Sequence, residues 1–62
     1  MQMSLEDLAF MKGEASASAG DTSDHALQRA SEHGYLIPGP PRDAFVAGYL
    51  NAVAAANQIE FR

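Results

Sequence analysis

The chain has 62 residues with eight acidic and four basic side chains, a net charge of −4, and no cysteine. One small domain is the most that this length can form, and its stability must come from a thin apolar core or from association with further copies. The basic side chains form no cluster, which excludes tight binding to a nucleic-acid backbone, because that affinity comes from Lys and Arg that displace counterions.

The first helix is predicted over residues 5–12. Ser4 precedes it and Asp7 follows three positions later, which is the spacing of a cap in which the serine hydroxyl accepts from a first-turn amide. Apolar side chains recur on one helical face together with a lysine: Leu5, Leu8, Met11 and Lys12. Gly13 then provides the left-handed residue that ends many helices.

Residues 13–22 are predicted to form a flexible linker, because glycine and serine favour coil in a stretch that is poor in large apolar residues. The alternative is that the first helix continues through the alanines. A second helix is predicted over 23–33, with candidate N-caps at 21–23 and Gly34 in the left-handed position after its last turn.

The stretch at 35–41 is predicted to be a proline-rich loop, because each proline removes a backbone donor and holds the preceding residue extended. Pro41 fits the first position of a helix. A third helix is therefore predicted over 41–57, and the whole chain is predicted to be an all-α protein of two or three helices.

The third helix carries a small residue at every fourth position: Ala44, Gly48, Ala52 and Ala56. These positions form a ridge that lets another helix approach closely, and Phe45, Tyr49 and Val53 flank it. One interpretation is a self-association face that makes a homodimer or a higher oligomer. The other is the central helix of a monomeric fold, in which the alanines reflect helix propensity. The scarcity of large side chains favours self-association.

No catalytic motif, phosphate loop or metal-binding motif occurs, so a non-enzymatic protein without cofactor or metal is expected. His25, Arg29 and His33 recur at every fourth position of the second helix. The two histidines are about 12 Å apart along the helix axis, which is too far for one metal ion. The stripe is either a solvated face or, with Arg42, a site for a small anion such as a nucleotide.

The segment AFVAGYLNA, from Ala44 to Ala52, resembles the A-F-x-A-G-[YW] helix near the C-terminus of many small phage proteins. The resemblance covers nine residues. It implies an accessory protein that acts on a host component, often as an inhibitor. It assigns no binding residue.

The expected function is therefore that of a small regulatory or inhibitory protein that binds another protein. Aromatic anchors dominate interface energetics, which makes Phe10, Tyr35 and Phe61 candidate contact residues. The alternative is an oligomer that sequesters a small anionic ligand. A cytoplasmic protein without direct nucleic-acid binding or a membrane segment is expected, since no run approaches 18 apolar residues and no signal-peptide pattern occurs.

Overall fold

The structure, a computed structural model, describes residues 4–18 and 20–58. Its α-helices are α1 at Leu5–Ser16, α2 at Ala26–Glu32 and α3 at Pro40–Gln58, and a 3₁₀ turn at Ser23–His25 leads directly into α2. The predicted all-α class is confirmed for this part of the chain. No helix in these two ranges combines the length and the apolar character needed to cross a lipid bilayer.

The start of α1 agrees with the sequence prediction, but its end does not. The Ser4 hydroxyl accepts from the amide of Asp7 at 3.0 Å, as the cap spacing predicts. The helix then continues through Gly13 to Ser16, and the chain becomes extended at Ala17. The prediction that Gly13 ends the helix is wrong, because this glycine is buried inside the helix and has no positive φ.

The helices α1 and α3 run parallel and in contact. The backbone of Phe10 lies against Gly48. One turn further along α1, Glu14 accepts a hydrogen bond of 2.8 Å from the side-chain amide of Asn51. Because the contact moves toward the C-terminus on both helices, they point in the same direction, and α2 connects them.

The two helix backbones approach each other so closely that only glycine fits at two positions. A Cβ atom added to Gly13 would collide with the carbonyl of Phe45 and lie 2.9 Å from the nitrogen of Tyr49. A Cβ atom added to Gly48 would collide with the carbonyl of Phe10 and lie 3.1 Å from its Cα. The small-residue ridge of α3 therefore does admit a helix, and that helix is α1 of the same chain.

The core is thin and half of it is alanine. Six apolar residues in the described ranges are buried: Ala9, Ala26, Ala30, Phe45, Tyr49 and Val53. The alanines of α1 and α2 surround the two fully buried rings, Phe45 and Tyr49. Small side chains let three helices share two aromatic rings, and little other apolar volume is enclosed.

Many of the larger apolar side chains are outside this core. Seven of them are exposed: Leu5, Leu8, Met11, Leu27, Leu36, Ile37 and Leu50. Amphipathic helices usually direct such residues inward. In α1 the inward positions are instead taken by Ala9 and Gly13, because a larger side chain there would separate α1 from α3.

Candidate protein-binding site

The candidate site is the loop between α2 and α3, and it begins with a defined helix end. Gly34 has φ of 91°, as its predicted left-handed position requires. The amide of Tyr35 donates to Ala30 at 2.9 Å and the amide of Gly34 donates to Ser31 at 3.1 Å, which together form a Schellman motif. The direction in which the chain leaves α2 is therefore fixed by backbone hydrogen bonds.

Tyr35 anchors the first part of the loop to the core. Its ring is half-buried, with its centroid 5.1 Å from that of Phe45, and the ring of His33 lies 5.2 Å from the same phenylalanine. The next two side chains face solvent, since Leu36 is 65% exposed and Ile37 is 79% exposed. The loop thus presents two adjacent aliphatic side chains immediately beyond an aromatic anchor.

The second part of the loop is stiffened by proline. Gly39 has φ of 154° and its carbonyl accepts the first helical bond of α3, from Asp43 at 2.9 Å. Pro40 occupies the first helical position, one residue before the predicted start at Pro41. Since each proline ring fixes its own φ, the segment has few alternative conformations.

A surface groove of about 440 Å³ runs along this loop. Its walls come from residues 34–42, and it is open to solvent. Leu36, Ile37 and the prolines make most of the lining apolar, while Arg42 contributes a cationic side chain. Such a groove can accept an apolar side chain of a partner, with the guanidinium available to a neighbouring carboxylate.

A separate polar cluster lies where the segment after α1 meets α2. Asp21 accepts from the amide of Ser18 at 2.9 Å and from Nη2 of Arg29 at 3.3 Å. Arg29 also donates through Nη1 to Glu32 at 3.1 Å. The Ser18 amide, followed by Tyr49 and Arg29, holds the pKa of the Asp21 carboxyl below its usual value. The cluster fastens this segment to α2.

Tyr49 brings a buried hydroxyl to the same cluster. Its oxygen has no hydrogen-bond partner of acceptable geometry among the described residues, although Asp21 and Arg29 lie close enough to influence its titration. Burial, reinforced by the Asp21 carboxylate, raises the pKa of Tyr49. The aromatic ring fills the core, and the hydroxyl lies beside Asp21 and Arg29.

The four residues predicted to form an anion site each have a different role in the fold. Arg29 is paired with two carboxylates. The ring nitrogen Nδ1 of His25 accepts from the amide of Thr22 at 3.2 Å and completes a capping box at the 3₁₀ turn. His33 packs on Phe45, and Arg42 lines the loop groove. The charge of Arg29, the central residue of the predicted polar stripe, is therefore neutralised within the chain.

The predicted self-association residues are mostly occupied within the chain. Four of them are buried: Phe45, Gly48, Tyr49 and Val53. Ala44 and Ala52 are half-buried, and Ala56 is exposed. Because α1 and α2 cover this face of α3, a second copy could reach it only if α1 moved away. Self-association through α3 stays a prediction.

Two of the three predicted aromatic contact residues lie within the described ranges. Phe10 is half-buried with its backbone on Gly48, Tyr35 is half-buried on the core, and Phe61 lies outside the described residues. The sequence interpretation passed over Leu36 and Ile37. The sequence did contain a signal for their exposure. Prolines exclude regular structure here, so large aliphatic residues beside them have no helix or strand in which to be buried.

Comparison with models of known protein families gave no match to this chain. Searches of curated proteins and of solved structures likewise gave no match.

Proposed function

We propose that this chain is a non-enzymatic regulatory protein that binds another protein through the loop groove at residues 34–42. The observation that carries the proposal is the exposure of Leu36 and Ile37 side by side at the groove. Burying a side chain of this type is worth about 1.5–3 kcal/mol, and this fold leaves both uncovered. Contiguous exposed apolar surface of this kind is typical of interaction sites.

The rigidity of the loop supports the same function. Tyr35 fixes one end on Phe45, and α3 begins immediately at Pro40 at the other end. A surface that already has its bound conformation loses little conformational entropy when a partner docks. Two exposed aliphatic side chains on a stiff loop therefore make a better docking element than the same residues on a mobile tail.

The groove also indicates the chemistry of the partner. An apolar side chain can enter beside Leu36 and Ile37, and Arg42 can pair with a carboxylate next to it. Charge-assisted contacts of arginine with a carboxylate give orientation as well as affinity. The proposed partner is thus a protein surface with an aliphatic or aromatic anchor adjacent to an acidic residue.

A phage inhibitor of a host protein is the specific form of this function that the resemblance of Ala44–Ala52 suggests. In this chain the patterned positions Phe45, Gly48 and Tyr49 are all buried in the helix contact. The pattern thus relates to packing, and the target contact is proposed for the loop instead. The anion-binding alternative has no such support, because Arg29 is already paired.

The test is differential capture from a lysate of the source cells. The bait variants are the wild type, the double variant Leu36→Ser with Ile37→Ser, and the matched control Leu27→Ser, which alters an exposed leucine on α2. A target should bind the wild type and Leu27→Ser and be lost from the double variant, with all three baits showing the same helical circular dichroism. Equal capture by all three baits would refute the assignment of the loop.

A further inference from the structure

The outer face of α1 is a second exposed apolar surface, separate from the loop. Leu8 is 41% exposed and Met11 51%, whereas Ala9 and Gly13 are buried against α3. With 3.6 residues per turn, the Leu8–Met11 edge lies on roughly the opposite side of the helix from the Ala9–Gly13 edge. One face of α1 thus packs within the chain and the other is open.

The open face has the register of a short coiled-coil seam. With Leu8 at an a position, Met11 falls at d and the exposed Ala15 at the next a. Asp7 then occupies a g position and Lys12 the following e position, one on each flank of the seam. Both charged side chains are exposed, and neither forms an ion pair within the described ranges.

The charges on the flanks select the partner and its direction. In a parallel pair of helices, a g residue faces the e residue five positions later on the other chain. Asp7 of each copy would then face Lys12 of the other, which gives two equivalent ion pairs. In an antiparallel pair, g positions face g positions, and the carboxylates of Asp7 and Glu14 would approach each other.

We infer that α1 binds α1 of a second copy of this chain in parallel, with Leu8 and Met11 on the seam and Asp7–Lys12 pairs on its flanks. The helix then lies between its own α3 and the α1 of the partner. The close contact at Gly13 and Gly48 is left intact. The loop groove at 34–42 stays outside this interface, so a dimer presents two grooves.

The dimer is expected to be weak. Its seam offers two large apolar side chains from each copy, Leu8 and Met11, and two exposed ion pairs, so it buries far less than the roughly 800 Å² per partner of a standard stable interface. Exposed ion pairs add little individually and are screened by salt. Association in the range of about 10⁻⁴ M, weaker at high salt, is the expected behaviour.

Sedimentation equilibrium from about 20 µM to about 2 mM tests the inference. Asp7→Lys and Lys12→Asp should each weaken dimerisation about tenfold, because each replaces two attractions by two repulsions. The double reversal should return it to near the wild-type value, and Leu27→Ser should leave it unchanged. A wild type that is monomeric throughout, or a double reversal as weak as the single variants, would overturn the proposal.

Disulfide trapping gives a second test that does not depend on charged variants. The natural chain has no cysteine, so one introduced thiol reports one contact. Met11→Cys should cross-link on mild oxidation, since equivalent d positions meet only when the helices are parallel. Leu27→Cys, at an exposed leucine of α2, should cross-link far more slowly. Equal rates for the two variants, or an unlinked Met11→Cys chain at millimolar concentration, would contradict the parallel seam.

Discussion

The contact between α1 and α3 and the loop at 34–42 use apolar residues in opposite ways. Where the chain packs most tightly, it uses Gly13 and Gly48, and backbone meets backbone. In the loop, it exposes the large side chains of Leu36 and Ile37. The buried contact thus uses residues without side chains, whereas the exposed loop carries large apolar side chains.

This contrast has a physical reason. Helices in backbone contact gain dispersion from many close atom pairs, and that gain requires the absence of side chains between them. Leu36 and Ile37 lie in a segment without helix or strand, so they belong to no helix face that packs into the core. Stability therefore depends on the glycine contact, and the large residues of the loop remain available for a partner.

The largest effect is expected at the glycine contact. Gly48→Leu should destabilise the fold by about 3 kcal/mol, since overpacking a closed contact outweighs the gain of about 1 kcal/mol in helix propensity. Chemical denaturation monitored by circular dichroism measures it. The loss should be independent of protein concentration, because the contact lies within one chain.

Ala47→Leu is the matched control for Gly48→Leu. It adds a leucine at the neighbouring position of α3, which is exposed. Its stability should stay within about 0.5 kcal/mol of the wild type. If Gly48→Leu instead melted higher than the wild type, the backbone contact between α1 and α3 would be disproved.

A glycine of the loop should show a smaller effect with a different cause. No atom lies within 4 Å of a Cβ added to Gly34, so Gly34→Ala meets no steric barrier. Its φ of 91° still places alanine in the left-handed region, at a cost of about 1 kcal/mol. Denaturation should show that loss, and Gly34→Asn should recover part of it. Equal losses for Gly34→Ala and Gly48→Ala would remove the distinction between the two regions.

The buried hydroxyl of Tyr49 should make a contribution that depends on pH. Its pKa is raised in the fold, so the stability that the neutral phenol supports is complete below the usual tyrosine value of about 10 and is lost as pH rises through the folded-state pKa. Tyr49→Phe should reduce this alkaline loss. At pH 7 it should raise stability by up to about 1 kcal/mol, because the buried hydroxyl has no hydrogen bond of good geometry among the described residues.

Denaturation curves from pH 7 to about pH 11 separate this effect from other alkaline changes. Tyr35→Phe is the control, since it keeps Tyr49 and should keep the alkaline loss. A Tyr49→Phe variant that is less stable at pH 7 would indicate that the hydroxyl makes a bond in the fold.

The smallest effect on stability is expected at the exposed loop residues. Leu36→Ser and Ile37→Ser should each change the free energy of unfolding by less than about 0.5 kcal/mol, because both side chains face solvent. Denaturation midpoints measure it. A loss above about 1 kcal/mol would show that these side chains are part of the core and would remove the basis of the proposed interface.

Local features of this fold could be predicted because their causes are local. The Ser4 cap depends on the next three residues, and the left-handed Gly34 depends on the end of its own helix. Gly13 has the local sequence features of a glycine that ends a helix. Its true role depends on α3, about 35 positions away, which no helix-end rule takes into account.

A local sequence rule also could not predict which side of α1 faces inward. Apolar periodicity points to Leu5, Leu8 and Met11, but the contact selects small residues. A better signal was the match between two series at four-residue spacing, Ala9–Gly13–Ala17 and Ala44–Gly48–Ala52. For the candidate site, the prolines predicted an irregular segment at 35–41, and the structure confirms it for 35–39, whereas Pro40 and Pro41 already belong to α3.

The parallel arrangement of α1 and α3 also has a consequence for the order of folding. Its contacts join residues about 36 positions apart, such as Gly13 with Tyr49, so the chain must close a loop containing all of α2 before they form. An isolated helix of the length of α1 is only marginally stable in water. During synthesis α1 must therefore wait for α3, and the contact between them can form only once α3 has left the ribosome.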